Sequence, residues 1–231
     1  MNDDSVYQMM AQSANIRTVP TLIRPGMEIR SDTLNAEESY KLITGTVVPR
    51  PIAWVSTLNQ WGGINLAPFS AFTFVCSFPP MLGFNVGRRL GEIKDTARNI
   101  RANSDYVVHI ADESMLEALH LSSFEHPPEV SEAELLGLET VPCSMVRGKR
   151  LAKAPISMEC RLNQILNFGS SGADFMVGEV LLFHVRDDLL VNGKIDSGRL
   201  RPICRLAGPN YAQLGEIITM QPVSRLPGGG G

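Results

Sequence analysis

The chain has 231 residues, of which 44 % are hydrophobic and 19 % charged, with a formal net charge of -3. The length suits one large domain or two small ones, and the composition is that of an ordinary globular protein with a sizeable core. Neither the charge nor any basic run offers a polyanion-binding footprint, which excludes nucleic acid as an expected partner.

Taken in chain order, residues 1–33 read as a polar N-terminal arm, with Arg24-Pro25-Gly26 as a breaker. The opening MNDDSVYQMM lacks the positive and apolar regions of a secretory signal, and no apolar run approaches the ~18 residues that span a bilayer. A cytoplasmic location is expected. The compact domain is set at residues 34–222, and the glycine-rich residues 223–231 read as a flexible tail.

From Thr46 to Leu58 the β-branched and aromatic run TVVPRPIAWVSTL predicts a strand with one irregular end, because its prolines cannot donate ladder hydrogen bonds. Asn59-Gln60-Trp61-Gly62-Gly63 supplies a turn, and INLAPFSAFTFVC follows as a second strand broken at Pro68. MLGFNV, from Met81, is a third. Lys94–Asn103 has helical spacing, with Asp95 or Thr96 as cap. Strand YVVHIA begins at Tyr106, helical patterns DESMLEALHLSS and SEAELLGLE flank Phe124–Pro128, and long strands start at Met158 and Phe175. Many strands without βαβ alternation predict an antiparallel barrel with short helices.

The motifs GxxxxGK[ST], GxGxxG, GxSxG and HExxH are all missing, and with them the usual signals for NTPase, Rossmann, serine-hydrolase and zincin chemistry. His109 and His184 lie in apolar strands and read as hydrogen-bonded core histidines. Cys76, Cys143, Cys160 and Cys204 are widely spaced and read as small buried hydrophobes, so no metal site is expected. What remains is the stretch from Arg50 to Arg101. Arg88, Arg89 and Lys94 beside Thr96, at a helix start, suit a phosphate. Asn65 to Ser70 suits a flat ring, with Ala67-Pro68 as an apolar wall between two hydrogen-bonding side chains.

Together TGTVVPRPIAWVST, NLAPFSAF, SFPPMLGFNVGRR, KDTARNI and RPICRLAGPNY resemble, in order, the flavin reductase-like family with its FMN-binding split barrel. The resemblance runs from about Leu34 to Tyr211. It implies a mainly β, six-stranded antiparallel Greek-key split barrel with short flanking helices, assembled as a homodimer with FMN at the interface. It further implies that Arg50, Ala67, Pro68, Phe69 and Ser70 border the flavin ring, that Asn85, Val86 and Gly87 follow ring and ribityl chain, and that Arg88, Lys94 and Thr96 hold the phosphate. Ala207 stands where the family pattern has a glycine, which puts the loop Arg205–Gly208 in question. The loops around His126 and from Arg205 to Tyr211 are expected to cover the ring and receive the substrate.

The implied activity is hydride transfer from NAD(P)H to flavin, with a monooxygenase or another electron acceptor downstream and no catalytic side chain required. Two rivals are an FMN-binding electron carrier that does not react with NAD(P)H and a pyridoxamine-phosphate oxidase-like enzyme. NLAPFS and KDTARNI do not match the latter.

Overall fold

The computed structural model describes residues 26–170 and 172–220, so most of the expected arm and all of the tail lie outside the described residues. The chain divides into two units, Met1–Ser39 and Tyr40–Gly231, inside the helix Ala36–Thr46 (α1), whereas the sequence reading sets the boundary at Leu34. In the first unit Asn35 starts the helix: its Oδ1 accepts from the N–H groups of Glu37 and Glu38, and its own N–H donates to Glu38 Oε2 at 2.9 Å. This reciprocal pairing is a capping box.

The second unit is mainly β. Its main strands are β1 (Ala53–Leu58), β2 (Ile64–Phe69), β3 (Phe72–Ser77), β4 (Pro80–Val86) and β5 (Asp105–Ile110). The hairpin β6 (Thr140–Pro142) and β7 (Lys149–Leu151) precedes the long strands β8 (Ile156–Phe168) and β9 (Ala173–Val185). Short pairs close the chain: β10 (Leu190–Val191) with β11 (Lys194–Ile195), and β12 (Ile203–Arg205) with β13 (Tyr211–Gln213). The main sheet is antiparallel and has seven strands, ordered β2-β1-β5-β8-β9-β4-β3, rather than the six expected.

This order dictates curvature. β2 and β3 are the two edges of the sheet, yet only Ser70 and Ala71 separate them in sequence. Two linking residues span on the order of 10 Å, so the sheet must roll until its edges face one another. The edges meet at Ser70-Ala71, where Asn85 donates its N–H to Ala71 O at 2.9 Å.

Alternation along β1 then fills both faces. Ala53 and Val55 join Phe84, Tyr106, Met158 and Met176 in the barrel interior. Trp54 joins Leu66, Leu119, Ala133 and Ile203 in a second core outside it, under the helices Leu116–Leu121 (α3) and Glu132–Leu135 (α4). The period of two is that of a strand buried on both sides.

Two boundaries differ from the sequence reading. The strand expected from Thr46 begins only at Ala53, because Thr46 ends α1 and Pro49 and Pro51 follow. Pro68 does not break β2: it pairs with Trp54 in register, which an edge strand tolerates since its outer side needs no donor. The break falls at Ser70-Ala71 instead. Helix α2 (Asp95–Asn103) forms where expected, but its N-cap is Lys94, and neither Asp95 nor Thr96 serves as cap. Of the cysteines only Cys160 is fully buried; the other three are partly exposed. Among the described residues no helix is long and apolar enough to cross a membrane.

Candidate functional site

A cleft of about 690 Å³ opens beside the edge strand β2, a size typical of small-molecule sites. Its wall is Ala67-Pro68-Phe69-Ser70. β2 has β1 on one side alone; on its open side the Ile64 and Leu66 N–H groups donate to Ser131 Oγ and Glu132 Oε2, and Pro68 has no N–H, so carbonyl groups are what the edge offers beside an apolar surface. Arg50 stands at one end of this wall. Its guanidinium donates to Val47 O at 2.7 Å just past the C-terminus of α1, to Leu206 O at 2.9 Å and to Ser70 Oγ at 3.4 Å, and its backbone bridges Arg205. Arg50 therefore ties three segments together at the rim.

The cationic end is formed by Arg89, Lys94 and Arg98 around the first turn of α2. Lys94 supplies no side-chain cap, and the start of the helix, with its leading N–H groups and partial positive charge, lies at the cleft that Lys94, Asp95 and Thr96 line. Arg98 is paired with Asp95 and Arg89 with Glu125, whose loop forms the opposite lip. Thr96 is buried on the floor, its hydroxyl donating to Asn65 Oδ1 at 3.0 Å.

The floor is a connected polar network. Asn65 Nδ2 donates to both oxygens of Glu132, at 3.1 and 3.2 Å, and Glu132 also accepts from the Leu66 N–H at 2.9 Å. Burial pushes the Glu132 carboxyl above its ordinary pKa, against the pull of these donors. Glu132 went unnoticed in the sequence because SEAELLGLE reads as a plain amphipathic helix. Only the fold sets its first turn against β2.

The far end is aromatic and basic. Arg205 lies 4.6 Å from the centre of the Tyr211 ring and donates to Tyr211 Oη at 2.6 Å. His120 Nδ1 is 3.1 Å from the same oxygen, and its ring packs edge-on against Phe124. His126 lines the cleft from the neighbouring loop. Gly208 takes a positive φ of 61°, and the turn closes by Asn210 N–H to Ala207 O, so Ala207 is accommodated without a second glycine.

Of the expected site residues, Arg50, Ala67, Pro68, Phe69, Ser70, Lys94, Thr96, His126, Arg205 and Tyr211 meet on this one cleft. Four from β4 and its end do not. Val86 is buried in the barrel core, and Asn85 pairs with Phe175 of β9, its Oδ1 buried and without a hydrogen-bond partner among the described residues. Gly87 is exposed, and a Cβ there would meet no protein atom within 4 Å. Arg88 turns away to donate to Gly172 O at 2.7 Å and to the buried Asp174 at 3.3 Å. Its neighbour Arg89 takes the place on the cleft.

The flavin reductase like domain model matches residues 45–199. Component B of nitrilotriacetate monooxygenase from Bacillus cereus is 37 % identical, superimposes with a TM-score of 0.83, and aligns over 85 % of this chain and 100 % of its own. The 2-nitrobenzoate 2-nitroreductase NbaA of Pseudomonas fluorescens is 33 % identical, with a TM-score of 0.75 over 88 % of this chain and 100 % of its own. A split barrel domain from Shewanella frigidimarina, 19 % identical, shares the fold at a TM-score of 0.74 over 86 % and 100 % of the two chains. With a matched region that spans the cleft wall, the start of α2 and the barrel that carries both, the chain belongs to the flavin reductase-like family.

Proposed function

We propose that this protein is an FMN-binding oxidoreductase that transfers hydride from NAD(P)H to flavin. The observation that carries this reading is the polarity of the cleft: a cationic helix start, a flat edge-strand wall and an aromatic, basic far end lie in one continuous cavity. Bound FMN would supply the hydride-accepting ring and the electron chemistry.

The chain's own part is binding and placement. Lys94, Arg89 and the free N–H groups of α2 would hold the phosphate by charge and by directed donors. Ala67, Pro68 and Phe69 would support the ring, with backbone groups of the open edge reaching its polar rim. His126, Arg205 and Tyr211 would position the nucleotide above it and exclude water. The donor set fits an anionic, planar ligand, since the described wall is apolar and Lys94 makes no ion pair among the described residues.

The kinship with a monooxygenase component supports a role in delivering reduced flavin to a separate monooxygenase. A homodimer in the cytoplasm is part of the same reading. It is supported by the exposed Phe74, Val75 and Phe78 on and beside the β3 edge, an apolar surface that water alone would cover at a cost.

The test is direct. The purified protein is loaded with FMN, its visible spectrum recorded, and NADH or NADPH added without oxygen; loss of the oxidised-flavin absorbance is expected. A protein that binds no flavin overturns the reading, and one that binds FMN but is bleached only by chemical reductants is an electron carrier.

A further inference from the structure

The cleft has a neighbour. Arg98 and Pro128 line it and also line a smaller cavity of about 120 Å³ between the β1–β2 turn and the outer face of α2. Trp61 stands at its mouth, 55 % exposed, on a turn fixed from within: Asn59 Oδ1 accepts from the N–H groups of Trp61 and Gly63, and Asn59 N–H donates to Gly63 O at 2.9 Å. An exposed indole on a fixed turn, with no ring partner among the described residues, presents a flat surface for stacking.

The polar groups facing it have a defined sense. Glu132 accepts from Asn65 Nδ2, which leaves Asn65 Oδ1 to accept from the hydroxyls of Thr57 and Thr96. Thr57 Oγ1, its proton thus spent, accepts from Asn99 Nδ2 at 3.0 Å. Asn99, which lines the cavity, is thereby left with Oδ1 as its acceptor. Asn103 Nδ2 donates to Leu58 O at 2.8 Å, which fixes its Oδ1 in the same way. Two amide acceptors beside an exposed indole match a flat base with an exocyclic amine, and Arg98 stands where its phosphates would pass.

We infer that the cavity beside Trp61 is a subsite for the adenosine diphosphate half of a dinucleotide. The inference deepens the flavin reading, since it extends the same cleft beyond the phosphate end of the flavin. The adenosine can come from FAD, joined through that phosphate, or from NAD(P)H reaching over Pro128.

The probe is ADP, titrated by calorimetry into the flavin-free protein. Wild type should bind it, Trp61→Ala should weaken binding about tenfold, as expected for loss of one stacked base, and Trp61→Phe should restore most of it. Equal thermal melts of the three proteins exclude a folding effect. FAD and FMN affinities, and NADH and NADPH saturation, then identify the source. A loss in W61A for FAD with FMN unchanged assigns the subsite to FAD, and a loss confined to the nicotinamide nucleotides assigns it to the reductant. Absence of ADP binding, or equal binding by W61A, overturns the inference. If ADP binds as expected but FMN does not bind at all, the subsite stands and the flavin reading falls.

Discussion

Arg88 and Asp174 form an ion pair at 3.3 Å across the mouth of the β8–β9 hairpin, and Asp174 is buried to 1 % exposure. Arg101 from α2 reaches the other carboxylate oxygen at 2.9 Å, and Asn167 Nδ2 donates to the first at 2.5 Å. Arg88 is thus part of what holds the hairpin to the helix, and Arg89 is left to the cleft. Arg88→Ala should lower stability by about 1–3 kcal/mol, since it strips a charged donor from a buried carboxylate, with FMN affinity of the folded protein little changed. Arg89→Ala and Lys94→Ala should do the reverse, each weakening FMN binding by about 1–3 kcal/mol with little effect on the melt. Calorimetric FMN titrations beside urea unfolding of the three variants separate the roles; a larger loss of FMN affinity in R88A than in R89A would reinstate Arg88 as the phosphate ligand.

Gly178 and Tyr106 are matched in a similar way inside the barrel. A Cβ on Gly178 would stand 2.8 Å from Tyr106 Cζ and 2.9 Å from Arg161 O, and closer still to Tyr106 Oη, whose hydroxyl is buried without a partner among the described residues. Gly178→Ala should therefore cost about 1–3 kcal/mol by overpacking. Tyr106→Phe removes an unsatisfied hydroxyl and should be neutral or stabilising by up to about 1 kcal/mol. In the double variant the cost of the alanine should shrink. Additive urea-unfolding energies for the pair would mean that the clash is with Arg161 O instead.

These particulars show where the sequence was readable. KDTARNI marks the helix start because hydroxyl, cation and 3.6-residue spacing coincide in seven residues, and NLAPFS marks the wall because small Ala67 and donor-poor Pro68 stand between two hydrogen-bonding side chains. Which of two adjacent arginines lines the cleft depends on a buried aspartate 86 residues away, so Arg88-Arg89 is ambiguous in the sequence alone. Helix α1 is masked in the sequence by the β-rich run after it, which draws the strand boundary back to Thr46, although Asn35 and Glu38 carry a capping signal. The seventh strand was concealed by reading INLAPFSAFTFVC as one element, when the chain crosses from one sheet edge to the other within it.

The buried face outside the barrel sets a pH dependence. His109 is fully buried, with Ser157 Oγ 2.8 Å from Nδ1 and Ser56 Oγ 3.1 Å from Nε2. Burial first, then the charges of Arg150 and His184, push its pKa from 6.5 down to about 3. Because the folded value is the lower one, the unfolded chain takes up the proton first. The contribution is full above pH 6.5 and is lost as pH falls from there towards 3, on the order of 5 kcal/mol over the whole window. His109→Gln, which can still bond both serines, should unfold with a shallower acid limb. Parallel slopes of wild type and H109Q between pH 6.5 and 4 would show that other groups dominate.

Assembly should follow the exposed apolar edge. Phe74 is 75 % exposed and Phe78 91 %, with Val75 between them and Phe168 exposed at the end of β8. Sedimentation of wild type should give twice the chain mass, and Phe74→Asp should shift it toward monomer, because a charge buried in an apolar contact has no partner. FMN affinity should then fall with dimer content. A wild-type monomer that binds FMN stoichiometrically at micromolar concentration would remove the interface from the site.

The far end of the cleft gives the sharpest test of nucleotide use. Arg205 is held over Tyr211 by a cation–π contact and two hydrogen bonds, to Tyr211 Oη and to Gly208 O, while its backbone pairs with Arg50. The side chain can thus be removed while the strand pairing that carries it persists. His126 lies on the opposite lip, in the segment that also pairs Glu125 with Arg89. If these two side chains position the nicotinamide, the double substitution Arg205→Ala, His126→Ala should slow hydride transfer and raise the NAD(P)H concentration for half-saturation. The loss should be about tenfold or more, since misplacement of a reacting group is costly. FMN affinity and oligomeric state should stay as in wild type, because the phosphate cradle and the β3 edge are untouched. Anaerobic stopped-flow reduction of the FMN-loaded double variant is the measurement. An unchanged reduction rate with unchanged saturation would place the reductant elsewhere and favour an electron carrier. A rate lost together with FMN affinity would show instead that Arg205 supports the ring rather than the nucleotide.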